Sequence, residues 1–165
     1  MPAAMQTCPF HSFLETPILF LTAQVRFGLP VLGDHAVHAI LRDVWLKSAR
    51  RDRWFVGPYC VQPDRVSLLA CPGRAARSVT AWTTVWKAAA AVRIESVTGG
   101  CGQLWEFGVP PEPVVSAADY RARCAALLAE PTAAAYHAGV FVSHRQEGVL
   151  WQLLPVGLPE PVAVR

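Results

Sequence analysis

Few residues in this chain are spaced for chemistry. Cys8 and His11 form a C-x-x-H pair, the spacing with which a tetrahedral metal site can begin, but no second paired half follows. His35 and His38 lie three apart, so on a helix they would share a face. They could hold a metal, or serve as ordinary helix surface. The stretch "PDRVSLL", residues 63 to 69, is patterned as a strand. Alternate side chains of a strand point to the same side, so Arg65 and Ser67 share one face. A guanidinium grips phosphate with paired donors and has no lone pair for a metal. A neutral serine hydroxyl is a weak ligand by itself. Ser67 and Cys124 have the atoms of nucleophiles, yet no activating base stands beside either in sequence.

Composition bounds what these residues can belong to. The chain has 165 residues, 53% of them hydrophobic and 16% charged, which is enough for one domain with a real core. No apolar run is long enough to span a bilayer. The opening stretch lacks a basic segment, and Glu15 and two prolines interrupt its apolar part, so it is a poor signal peptide and the chain reads as cytoplasmic. Five cysteines, an odd number at irregular spacing, argue against a disulfide framework. Net charge is +3, unevenly placed: residues 42 to 93 carry +7, residues 1 to 41 carry −1 and residues 94 to 165 carry −3. A basic middle between acidic ends fits a polyanion partner, and it also fits a solvated surface. Thirteen of the fifteen basic residues are arginine, which favours phosphate contact, although compositional bias accounts for the count equally well.

The elements that must position these residues follow from periodicity. Residues 16 to 27 are a β-rich run. Asp34 is a good N-cap for a helix whose stripe is Val37, Ile40, Leu41, Val44 and Trp45. Two strands, 54 to 62 and 65 to 71, are joined by a turn short enough for a hairpin, with a bulge or edge expected at Gly57-Pro58. A second helix is expected over 78 to 94, a short strand over 103 to 107, and a third helix over 116 to 130 with Ser116 and Asp119 as an approximate capping box. This order predicts an α+β, ferredoxin-like sandwich: an antiparallel-rich sheet with helices packed on it. Residues 1–145 read as one domain and 146–165 as a Pro-rich C-terminal tail.

In order and spacing these pieces resemble the REP-associated tyrosine transposases, small single-strand transposases of the HUH class. The central stretch is strongest. The family reads close to Y-V-x-M-P-D-H-V-H-L-L, and here Tyr59, Val61, Pro63, Asp64, Val66, Leu68 and Leu69 stand in register. "PVLGD" at 30 to 34, Trp86-Lys87 and Leu104-Trp105 add to it, and the resemblance covers about residues 17 to 145. It implies two histidines on a strand holding a divalent metal such as Mg or Mn, and a tyrosine on the last helix that attacks a DNA phosphate. It implies a hairpin with a single-stranded flank as the DNA partner, and a homodimer. The histidine positions fall on Arg65 and Ser67. Counting back from Pro131, the tyrosine position falls on Ala126, and the family's asparagine is Glu130. Tyr120, an alternative nucleophile on the same expected helix, lies on another side, in a stripe with Cys124, Leu127 and Leu128 that looks like core.

The leading expectation is therefore a transposase-derived DNA-binding protein with a degenerate active site, no metal and no strand cleavage. Arg65 would bind the phosphate that the metal polarises in the family. Arg50, Arg51, Arg53, Arg74, Arg77 and Lys87 are candidates for backbone contacts, and Trp105 for stacking on an unpaired base. Trp82 and Trp86 could also stack, but fit a core better. Two other classes stay open: an active transposase or nuclease with unorthodox residues, and a protein-interaction module on the same fold.

Overall fold

The structure is a computed structural model that describes residues 18–73, 75–100, 102–108, 110–129 and 137–139. Strand β1 (Leu19–Gln24) leads through two short 3-10 turns into helix α1 (His35–Arg51). Strands β2 (Trp54–Gln62) and β3 (Arg65–Pro72) form the expected hairpin, followed by helix α2 (Val79–Thr98), strand β4 (Glu112–Pro113), helix α3 (Ala117–Ala129) and strand β5 (His137–Gly139). The sheet order is β4-β1-β3-β2-β5, with every neighbouring pair antiparallel. The first four strands with α1 and α2 make the βαββαβ arrangement of the ferredoxin-like fold. The 146–165 tail lies outside the described residues, as do Cys8, His11 and Arg74. No helix among the described residues is long and apolar enough to cross a membrane.

The caps expected at Asp34 and Ser116 are built, and the second helix runs on to Thr98, four residues past its expected end. The Asp34 carboxylate accepts from the Ala36 backbone N–H at 2.6 Å. Ser78 caps α2 and Gly99, in the left-handed region at φ 91°, closes it. At α3 the Ser116 hydroxyl accepts from Asp119 N–H at 3.0 Å, and the Asp119 carboxylate accepts from Val115 N–H, also at 3.0 Å. The register of β2 against β3 shifts between Val56 and Tyr59, where Gly57-Pro58 sits. One expected element is corrected. Residues 103–107 form no strand; Trp105 makes a single bridge to Val25, and the fourth strand is the short Glu112–Pro113. Two prolines, Pro110 and Pro111, lack the N–H a ladder needs and delay pairing until the chain has passed them.

Both faces of the sheet are covered. Val66, Leu68 and Ala70 of β3 face α1 and α2 across a core rich in tryptophan. Leu69 and Cys71 face α3, with Ile18, Val114, Tyr120, Cys124 and Leu127. Trp82 and Trp86 are buried, and the Trp54 and Trp82 rings stack at 4.8 Å. The indole N–H of Trp82 donates to the Ser48 hydroxyl at 2.7 Å, and both residues are fully buried. Ser48→Ala leaves that donor buried without its acceptor, so we expect a loss of about 1–3 kcal/mol in urea unfolding. Trp82→Phe in the Ser48→Ala background should cost less than in the wild type, because the orphaned donor is gone.

Candidate nucleic-acid interface

Arg65 and Ser67 sit at the start of β3, flanked by β1 and β2. Gln24 and Gln62 pair with Arg65, and Thr22 and Cys60 pair with Ser67. These side chains share the α3 face of the sheet. At this end α3 presents Ala126, so the two positions on β3 and the one on α3 meet. Arg65, Ser67 and Ala126 line one depression of about 190 Å³, together with Phe20, Thr22, Gln62 and Arg123. Arg65 is exposed; its Nε donates to the Gln62 side-chain oxygen, and Asp64 lies 3.9 Å away.

Arg123 is the residue that sequence reasoning missed. It lies three residues before Ala126 on α3, and its ring of contacts is specific. Nε donates to Asp119 at 2.9 Å, Nη1 donates to Glu112 of β4 at 3.0 Å, and the guanidinium lies over the Phe20 ring at 5.0 Å. The i,i+4 spacing of Asp119 and Arg123 is visible in the sequence. The contribution of Glu112 is not, because a two-residue strand leaves no periodic trace. The Asp119 carboxyl is held below the usual range, chiefly by the Val115 N–H, which together with Arg123 outweighs the opposing effect of burial.

This donor set does not fit a divalent metal. One of the two strand positions is a cation, which repels a metal ion, and the other offers a neutral hydroxyl. Nor does it present a tyrosine. Tyr120 is fully buried beneath α3, and burial, with Cys124 beside it, pushes its phenol above the ordinary range. The depression can instead hold an anion. Arg65 offers a planar, half-exposed set of donors, and Ser67 a hydroxyl.

The other predicted contacts scatter. Arg51 and Arg77 converge, but on Asp52, a buried carboxylate: Arg51 Nη2 lies 2.7 Å from it and Arg77 Nε 3.3 Å. They lie with Arg50 and Arg53 at the far end of β3, about 23 Å from Arg65 along the strand. Their positions do not extend the depression. Lys87 and Trp105 lie on the other face, lining a second groove of about 720 Å³. Trp105 is corrected as a stacking surface. It is 5% exposed, packs edge-on against Trp86 and donates its indole N–H to the Lys87 carbonyl at 2.9 Å. Lys87 itself donates to the Glu106 carbonyl, and burial lowers its pKa. His38 is hydrogen-bonded to the Tyr59 hydroxyl at 2.9 Å, and its ring centroid stands 6.2 Å from that of His35.

No protein-family model matches the chain, and no curated protein does. Solved structures do. The REP-associated tyrosine transposase, solved bound to a REP hairpin, superposes with a TM-score of 0.58 over 90% of this chain and 88% of its own, at 12% identity. A protein from Deinococcus radiodurans R1 described as a transposase is a looser match, with a TM-score of 0.44 at 16% identity, covering 93% of this chain and 95% of its own. The chain thus has the fold of the REP-associated tyrosine transposase, the family its sequence resembles, with Arg65, Ser67 and Ala126 gathered in one depression.

The layer under the depression should respond to alkali. Burial pushes the Cys124 thiol up to about 11 from an ordinary value of 9.0. A group whose folded pKa is raised stabilises the fold below its unfolded pKa and loses that contribution as pH rises toward the folded one. We therefore expect stability to fall between about pH 9 and 11, with a shallower fall in Cys124→Ala, read from urea midpoints across that range.

Proposed function

We propose that this chain is a DNA-binding protein derived from a single-strand transposase, holding a hairpin with a single-stranded flank without cutting it. One observation carries the reading. The three positions where the resemblance implies metal ligands and nucleophile line a single depression, and they are occupied by a cation, a hydroxyl and a methyl group. A phosphate placed there meets the Arg65 guanidinium in place of a metal. Binding is retained through a charge-assisted hydrogen bond, while the attacking oxygen has no counterpart at Ala126. The solved protein of like fold holds a hairpin of REP DNA, which supports the same class of ligand here.

Arg65 belongs to the reading directly. Arg50 and Arg53, at the far end of the sheet, serve only if the DNA runs the length of β3. Arg51 and Arg77 are better placed to hold Asp52 than to hold DNA.

Filter binding across a salt series tests the reading. Hairpin DNA with a single-stranded flank should bind more tightly than plain duplex. Arg65→Ala should weaken binding by about 1–3 kcal/mol and lower the salt slope by roughly 0.7–0.9. A denaturing gel with magnesium or manganese should show no covalent protein–DNA adduct. Equal affinity of wild type and Arg65→Ala would remove Arg65 from the site. Absence of DNA binding at low salt would favour an interaction module, and an adduct lost in Tyr120→Phe would favour an active enzyme.

A further inference from the structure

Phe27 is the aromatic residue, among those described, that combines high exposure with a left-handed backbone. Its side chain is 83% exposed, and its backbone sits at φ 60° and ψ 17°, in the left-handed region that bulky residues rarely enter. The turn that carries it, Arg26–Gly28, is fixed on both sides. Arg26 N–H donates to the Leu104 carbonyl at 2.9 Å, Gly28 N–H to the Val25 carbonyl at 3.1 Å, and Val25 N–H to the Asp64 carbonyl at 2.8 Å. The Arg26 guanidinium lies 5.1 Å from the centre of the Phe27 ring and is itself held by the Gln103 side-chain oxygen at 2.9 Å. The ring adds nothing to either core, yet the backbone is strained to present it.

Its position relates to the depression. Gln24 pairs with Arg65, and Phe27 lies three residues beyond Gln24, in the turn that follows β1, so its backbone is no more than about 10 Å on. From these observations we infer that Phe27, with Arg26 beside it, is a stacking site for one unpaired base of the single-stranded flank. The inference rests on the DNA-binding reading and adds a contact that it does not use. A phosphate on Arg65 leaves a neighbouring nucleotide within reach of the ring. Every base has a π-face, so the contact tolerates any sequence. The cation against the ring, at a site otherwise open to water, adds attraction for the nucleotide's own phosphate.

The full chain is tested on two oligonucleotides with the same stem, one blunt and one carrying a single-stranded flank with a fluorescent adenine analogue. Phe27→Ala should lower affinity for the flanked hairpin by roughly five- to 150-fold, the range for losing one base–aromatic stack. It should leave affinity for the blunt hairpin unchanged and abolish quenching of the analogue. Phe27→Gly suits the positive φ, so it should bind as weakly as Phe27→Ala while unfolding no earlier than wild type. Phe107→Ala should have no effect, since Phe107 is even more exposed but lines the groove on the other face. Unchanged affinity of Phe27→Ala for the flanked hairpin, or an equal drop on both oligonucleotides, overturns the stacking site while the DNA-binding reading stands. A wild type that binds neither oligonucleotide overturns both.

Discussion

The register of β3 is the constraint on which the rest of the molecule depends. This central strand sends Val66, Leu68 and Ala70 into the tryptophan core and Ser67, Leu69 and Cys71 toward α3. A slip by one residue would exchange the two sets and put the Arg65 guanidinium against buried indoles. Two pairings oppose the slip: Thr22 and Gln24 on one side, Cys60 and Gln62 on the other. The bulge at Gly57-Pro58 absorbs the irregularity of β2 before the pairs that matter at Ser67 and Arg65. The depression is thus a by-product of strand alternation at the end of a sheet where α3 stops covering it.

The charges are organised in the same economical way. The +7 segment reads as one basic face, yet folding divides it between two ends of the sheet. At one end Asp52 is buried and draws in Arg51 and Arg77, closing the connection between α1 and β2 against the loop before α2. On α1 and α2, Asp43 binds both Lys47 and Arg93. At the other end, among the described residues, Arg65 has an amide oxygen and a more distant carboxylate beside it. A charge with few partners of opposite sign has the most to gain from an incoming anion.

Much of this was legible in the residues. Alternation and turn chemistry predict the hairpin, and the caps at Asp34 and Ser116 mark two of the helices. The meeting of Arg65, Ser67 and Ala126 follows from the resemblance and is seen in the fold. Other features could not be read. Trp105 sits in a Gly/Pro-rich connection that looks exposed, and only tertiary packing turns its indole inward to Trp86. The role of Asp52 is hidden because one acid among arginines reads as solvated charge. Arg123 depends on Glu112, whose strand is too short for a pattern, and on Phe20 across the sheet. The strain at Phe27 has no sequence signature, since the left-handed region there belongs to a phenylalanine with a glycine next to it.

The tryptophan core has an optical consequence. Trp54 stacks on Trp82 at 4.8 Å, Trp82 lies 6.3 Å from Trp86, and Trp86 meets both Trp45 and Trp105 at 5.7 Å. At such separations an excitation absorbed by one ring migrates to its neighbours before it is emitted. These five indoles therefore emit as one coupled chromophore, weighted toward whichever ring sits lowest in energy. The near-parallel Trp54–Trp82 pair, tilted by 8°, sets the geometry of the strongest coupling in the near-ultraviolet. None of the five lines the depression at Arg65, so their emission follows the integrity of the α1–α2 layer and stays silent about events on the other face.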